Sequence, residues 1–162
     1  MTAYFPAGPR TAIWYFIAAY WVVTLLGILL TVVFAARLKP PSPQELGVPF
    51  SQAPAYLMTL PYHPLLNLFW LPFTWIYLRN FTTDTRGREA LRLGAFWAIL
   101  CILIDLAGWI LIPHPWAMTF KEFYVDYQPW ITLIYLVIFF SPIVAARLKP
   151  LTIQIPFTFR RS

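Results

Sequence analysis

The sequence predicts an all-α integral membrane bundle: four transmembrane helices, with a short interfacial helix between spans three and four. Three observations lead there. Of the 162 residues, 60% are hydrophobic and 11% are charged, whereas a soluble domain carries roughly 25% charged residues. The charges are bunched, which leaves long uncharged runs, as helices that cross a bilayer require. The runs are bounded by Arg, Lys or Pro. A soluble core of this length would need a polar surface that the chain does not have.

One transmembrane domain is expected over residues 1–162. The first span, TAIWYFIAAYWVVTLLGILLTVVFAA at 11–36, exceeds the roughly 20 residues that cross a hydrocarbon core of about 30 Å, so it crosses with tilt. A secretory signal peptide has an apolar core of only about 7–15 residues. This run is longer and closes on Arg37 and Lys39, so it reads as a retained anchor. LKPPSPQELGVPFSQAP then reads as a Pro-rich loop with extended character. The second span is PYHPLLNLFWLPFTWIYL, 61–78, with Pro64 near its start and Pro72 inside it. Interior proline kinks a helix, so two readings stay open: a kinked crossing, which is preferred, and a re-entrant hairpin built from 50–78. A charged loop, 79–92, precedes the third span at 93–112. The loop 113–128 leads to the fourth span at 129–146, which starts on Pro129, a residue favoured in a first turn.

Charge sets the orientation. The 79–92 loop carries Arg79, Arg86, Arg88 and Arg92, and the C-terminal tail carries Arg147, Lys149, Arg160 and Arg161. Between spans three and four only Lys121 is basic. The positive-inside rule therefore places 79–92 and the C-terminus in the cytoplasm and 113–128 outside. The expectation is a multi-pass protein of a bacterial cytoplasmic membrane. AARLKP occurs twice, at 35–40 and 145–150, each time closing an apolar run. Small residues finish the span, Arg and Lys anchor it at head groups, and proline prevents continuation. With four crossings the two copies lie on opposite faces; with 50–78 re-entrant they lie on the same face. Because the basic residues sit at span ends, the net charge of +6 points to anionic head groups rather than nucleic acid. The partners implied are the lipid bilayer and other membrane proteins.

Asp105 carries the main chemical signal. An ionisable residue inside an apolar helix is costly and marks a candidate functional site. Gly94, Ala98, Cys101, Asp105 and Gly108 share one side of the third span, and small residues at that spacing let helices approach closely. Asp105 is thus expected to face another helix, paired with a Thr, Tyr or Trp. Tyr20, Thr24, Gly27 and Thr31 form a matching face on the first span. Cys101 is the one cysteine, so neither an internal disulfide nor a cysteine metal cage is available.

The outer loop offers a second candidate region. Thr119 and Glu122 have the spacing of a capping box, which predicts a short helix over about 119–127. Trp116, Phe120, Phe123, Tyr124 and Tyr127 suit an aromatic belt. Asp126 lies just before the fourth helix, where its charge suits the positive end of the dipole. His63 and His114, each followed by proline, would join Glu122 and Asp126 in a polar ligand-binding cluster at the outer face. No close-spaced ligand pair supports a metal site, and no cofactor-binding motif is present. The chain has no G-x-S-x-G, H-E-x-x-H, P-loop or C-x-x-C. The sequon at Asn80 falls in a loop expected to be cytoplasmic.

The stretch HPWAMTFKEFYVDYQPWITLIYL, 114–136, together with LIDLAGW before it, resembles a family of small four-span membrane proteins of Gram-positive bacteria. That resemblance implies a bacterial four-span protein and supplies no activity. The order of Asp105 and Asp126 is also similar to that in lipoprotein signal peptidases, in which two aspartates near the outer face activate a water as catalytic acid and base. The Asn-containing stretches that surround those aspartates are absent here. Asp105 also lies about seven residues below the outer end, roughly 10 Å deep. The function expected is an accessory or assembly subunit, or a small-molecule or lipid-binding component, of a bacterial membrane complex. The alternative is an aspartyl hydrolase-like membrane enzyme, or a proton-coupled transporter, centred on Asp105 with the outer cluster as its mouth.

Overall fold

The computed structural model describes residues 8–79, 81–114 and 116–148. Among them all regular structure is helical. Asn80 and the tail residues Lys149, Arg160 and Arg161 lie outside the described residues.

Helix α1 spans Pro9–Leu38. Pro9 takes a first-turn position, where its missing N–H costs nothing. The helix is apolar all round. Ala12, Phe16 and Ala19 form its buried stripe, while Trp14, Trp21, Leu25 and Leu29 are exposed, as on a helix that faces lipid. It stops at Lys39, whose backbone is left-handed (φ 47) and whose N–H bonds the Ala35 carbonyl at 3.1 Å. The second AARLKP copy ends its helix differently: Leu148 is extended (φ −70, ψ 127). The hexapeptide stops a helix at both places without dictating the geometry of the exit.

The segment expected to be an extended loop contains a helical turn, α2, at Pro43–Leu46. Ser42 and Glu45 form a reciprocal capping box, with Ser42 N–H donating to Glu45 at 2.6 Å and Glu45 N–H to the Ser42 hydroxyl at 3.3 Å. Gly47 supplies the left-handed exit (φ 65).

Residues 54–78 keep a right-handed helical backbone while alternating between two pitches. They comprise α3 (Pro54–Thr59), a 3-10 turn (Leu60–Tyr62), α4 (His63–Leu66), a second 3-10 turn (Asn67–Phe69) and α5 (Trp70–Leu78). Each of Pro61, Pro64 and Pro72 lacks a backbone donor, and tightened turns together with side chains reorganise the bonding. Thr59, Asn67 and Thr74 donate to the carbonyls of Tyr56, His63 and Leu71 at 2.7, 2.9 and 2.8 Å. The whole path runs antiparallel to α1. Thr59 meets Thr31 at 3.3 Å, Trp70 packs on Phe16 and Tyr77 on Tyr15, with ring centroids 5.4 and 6.1 Å apart. This contact covers about 24 Å of α1.

Helix α6 spans Thr83–Asp105 and continues as a π-helical stretch, Leu106–Leu111. It starts well before the expected span at 93, so most of the expected 79–92 loop is helix. It runs parallel to α1: the Trp97 indole donates to the Ala12 carbonyl at 3.2 Å, and Tyr20 reaches Asp105. Helix α7, Trp130–Arg147, returns antiparallel to α6 and packs on both α5 and α6. Among the described residues, three helical stretches are long and apolar enough to cross a membrane: Arg10–Leu38, Thr85–Leu111 and Trp130–Arg147. Their exposed apolar surface suits contact with lipid.

Phe16, Trp70 and Trp97, each at most 1% exposed, form the centre of the main core. Both buried indole N–H groups are satisfied, Trp70 by Asn67 at 2.9 Å and Trp97 by Ala12. A second core of Leu60, Met118, Phe123, Tyr127 and Ile131 closes the end near the 113–128 connection. Helical turns run over 120–126, close to the expected short helix, with Glu122–Asp126 in π register. The expected aromatic belt divides here. Trp116 and Phe120 are exposed, whereas Phe123 and Tyr127 are buried in this core.

Candidate functional site

Asp105 stands at the junction where α6 passes from α-helical to π-helical bonding, a local irregularity frequent at functional sites. It is 7% exposed. Its Oδ1 accepts from the Tyr20 hydroxyl of α1 at 2.9 Å, and its Oδ2 accepts from the Tyr135 hydroxyl of α7 at 2.9 Å. The Cys101 thiol, one turn earlier on α6, donates to Oδ2 at 3.6 Å. The carboxyl therefore ties three helices together, with donors on both oxygens. Tyr135 also lies 3.4 Å from the hydroxyl of Tyr124, which is half-buried near the 113–128 connection.

The small-residue face brings Asp105 inward. A Cβ added at Gly94 would strike the carbonyl oxygen of Phe139, so glycine is what permits α6 and α7 to approach there. Cys101 is buried and Ala98 packs against the main core. Gly108 does not share this role, because a Cβ there would meet open space.

Beside Asp105 lies a cavity of about 160 Å³. Its wall includes Tyr20 and Gly27 of α1, His63 of α4, Asp105 of α6, Trp109 of the π-helical stretch and Ile134 of α7. An apolar cavity of about 150 Å³ accepts a benzene-sized guest. The polar groups on this wall lie on two sides. Asp105 and Tyr20 are one pair. The other is His63, behind which the buried Thr59 lies 3.5 Å from the ring and the buried Thr31 donates to the Gly27 carbonyl at 3.0 Å.

Of the sequence-derived candidates, Asp105 and His63 share this cavity, and Glu122, Asp126 and His114 stand apart from it. His114 bonds the Gly108 carbonyl at 2.6 Å and accepts from the Trp116 N–H at 3.1 Å. Asp126 pairs with Lys121 at 2.8 Å in an exposed position. Glu122 accepts from the Thr119 N–H at 2.7 Å and from Gln52 at 2.7 Å. Those bonds, the Thr119 backbone first, hold its carboxyl below the usual range. The outer polar cluster is thus three separate local arrangements. Among the described residues no group of three His, Cys, Asp or Glu side chains could hold a metal ion.

Sequence reasoning missed Tyr135, Asn67 and Thr59. A Thr or Asn within a turn of a proline in an apolar helix is a usable signal for the last two, since their side chains bond back to backbone carbonyls. No local signal marks Tyr135.

The described residues define a helical protein with apolar helices of membrane-crossing length and a polar-edged, partly open cavity between them. No family model, curated protein or solved structure matches this chain.

Proposed function

We propose that this chain is a four-pass protein of a bacterial cytoplasmic membrane that holds a small apolar molecule in the cavity beside Asp105, as an accessory component of a membrane complex. The cavity between the helices carries this reading: its wall is largely aliphatic and aromatic, with a few convergent polar groups, the usual composition of a small-molecule site. The fourth crossing is assigned to 54–78, whose antiparallel path beside α1 covers about 24 Å, close to the thickness of a hydrocarbon core. Arg79, Arg86, Arg88, Arg92 and Arg147 gather at one end of the bundle with Arg10, and that end is assigned to the cytoplasm.

A second reading has one observation in its favour. The hydroxyls of Tyr135 and Tyr124 continue from Asp105 toward the outer connection, a path along which a proton-coupled transporter or a membrane enzyme would move protons.

Solvent extraction of protein purified from its own membranes, followed by mass spectrometry, tests the binding reading. Gly27 lies on the cavity wall, and a Cβ there would sit in ordinary contact with the His63 ring at 3.7 Å, so Gly27→Leu would take cavity space that a guest needs. A small molecule retained near one per chain in the wild type and lost from Gly27→Leu supports the proposal. Equal retention in both, or none in the wild type, sinks it. Proton flux in proteoliposomes that vanishes in a folded Asp105→Asn variant would favour the second reading.

A further inference from the structure

A cleft of about 650 Å³ lies at the opposite end of the bundle from the Asp105 cavity, where α5 gives way to α6 and α7 ends. Its wall carries three arginines, Arg79, Arg86 and Arg147, together with the apolar Phe81, Ile143 and Leu148. No Asp or Glu lines it among the described residues. Arg79 and Arg147 are exposed, as arginines at a membrane surface are. Arg86 is not. It is 8% exposed, and its Nε and Nη2 have no hydrogen-bond partner.

A buried guanidinium without an acceptor is costly, and folded proteins do not keep one without compensation. The surroundings favour an anion as that compensation. The arginine is in the second turn of α6, whose N-terminus begins at Thr82 with no side-chain cap on its backbone donors. The positive end of the helix dipole adds to the field of the three arginines. The planar guanidinium fork fits a phosphate through paired hydrogen bonds.

We infer that this cleft binds a phosphate oxyanion, supplied by the head group of an anionic phospholipid. The apolar residues on the same wall would meet the start of the acyl chains. The lipid source rests on the membrane reading of the chain, and the phosphate chemistry does not. The site is independent of the Asp105 cavity, so the failure of either leaves the other standing.

The test uses the full chain in a neutral detergent, stripped of lipid, with its melting temperature followed as additives are titrated. Phosphatidylglycerol should raise the melting temperature by several degrees in the wild type and in Arg88→Gln, which removes the same charge from outside the cleft. In Arg86→Gln the apparent affinity should fall about tenfold or more, the loss expected for a charged hydrogen-bond pair. Should Arg86→Gln fail to fold, Arg147→Gln, which alters an exposed side chain, should weaken the response in the same direction. Inorganic phosphate is the second arm: an equal shift without lipid, at matched ionic strength, keeps the oxyanion site and assigns it to a soluble phosphate. Phosphatidylcholine matching phosphatidylglycerol, equal responses from Arg88→Gln and the cleft variants, or no response to either additive overturns the inference.

Discussion

The Tyr20 hydroxyl donates to Asp105 at 2.9 Å across two helices that run in the same direction, and Tyr135 approaches the same carboxyl from the helix that runs against them. A single carboxyl thus fixes the register of α1, α6 and α7. Within a low-dielectric interior each such bond has no competing water, yet partners are also found in the unfolded membrane state, so measured values are modest.

Removing these donors therefore has a bounded cost. Tyr20→Phe and Tyr135→Phe should each destabilise the protein by about 1–2 kcal/mol, because each takes one donor from a buried acceptor. Asp105→Asn offers one acceptor oxygen to two tyrosine hydroxyls, so it should cost a similar amount. Asp105→Leu should cost more, because both hydroxyls lose their acceptor. Unfolding in mixed micelles, run as a double-mutant cycle on Tyr20 and Asp105, reads the coupling directly. Additive effects would show that the 2.9 Å contact carries no energy.

Glycine positions should respond with opposite signs. At Gly94 a Cβ would meet the backbone carbonyl of Phe139, which cannot swing aside. Gly94→Ala must push α6 from α7 and should cost about 1–3 kcal/mol, the usual penalty of overpacking. At Gly87, a helical and exposed position, a Cβ would meet nothing. Gly87→Ala should gain about 0.5–1 kcal/mol through backbone entropy alone. Melting curves of the two variants in lipid-free detergent provide the comparison, and a destabilised Gly87→Ala or a neutral Gly94→Ala would contradict the packing described.

These two positions also show what the sequence discloses and what it withholds. Asp105 stands out because a lone carboxylate in an apolar run is conspicuous, and its small-residue neighbours fall at helical spacing. Tyr20 lies on the face that periodicity picks out. Tyr135 does not, because the register of α7 against α6 depends on the close approach at Gly94 and Phe139, which no repeat within one helix records. Segment 54–78 resists reading for a related reason. Its prolines remove donors, and whether the helix breaks or tightens depends on Thr59, Asn67 and Thr74 bonding back to carbonyls. T-F-K-E discloses the Thr119–Glu122 capping pair, whereas S-P-Q-E carries the same spacing at Ser42 and Glu45 inside a run whose prolines make it read as an extended loop. Arg86 looks in sequence like any arginine of its charged run, and only burial separates it from Arg88.

The Thr119–Glu122 capping box should make the short helix sensitive to acid. Glu122 accepts from the Thr119 N–H and from Gln52, and these bonds lower its folded pKa below the ordinary carboxylate value. A carboxyl lowered on folding stabilises the folded state fully above its unfolded pKa, about 4.3. That contribution is lost as pH falls from there through the folded value. The protection of residues 119–126 against hydrogen exchange, taken relative to their intrinsic rates, should therefore fall below about pH 4, and Glu122→Gln should flatten this response. Thr119→Ala should remove about 1 kcal/mol of local stability at neutral pH. An unchanged pH profile in Glu122→Gln would show that another group governs the acid response.

The two AARLKP copies offer the sharpest topological test. Lys39 caps the end of α1 that also carries Phe34, whose ring lies 5.5 Å from that of Tyr62. Arg147 ends α7 at the opposite end, in the cleft shared with Arg79 and Arg86. Because α1 and α6 run parallel and 54–78 runs between them in the reverse sense, a bilayer containing these helices separates the two copies. Cys101 is buried, so an introduced cysteine can be read against a quiet background once Cys101→Ala is in place. In intact cells, a membrane-impermeant maleimide should label Lys39→Cys, and Arg88→Cys should react only after the membrane is opened. The opposite pattern would invert the orientation while keeping four crossings. Equal protection of both positions would place both copies on the cytoplasmic face, leave 50–78 re-entrant, and require α1 to run against α6, contrary to the contacts of Ala12 with Trp97 and Tyr20 with Asp105.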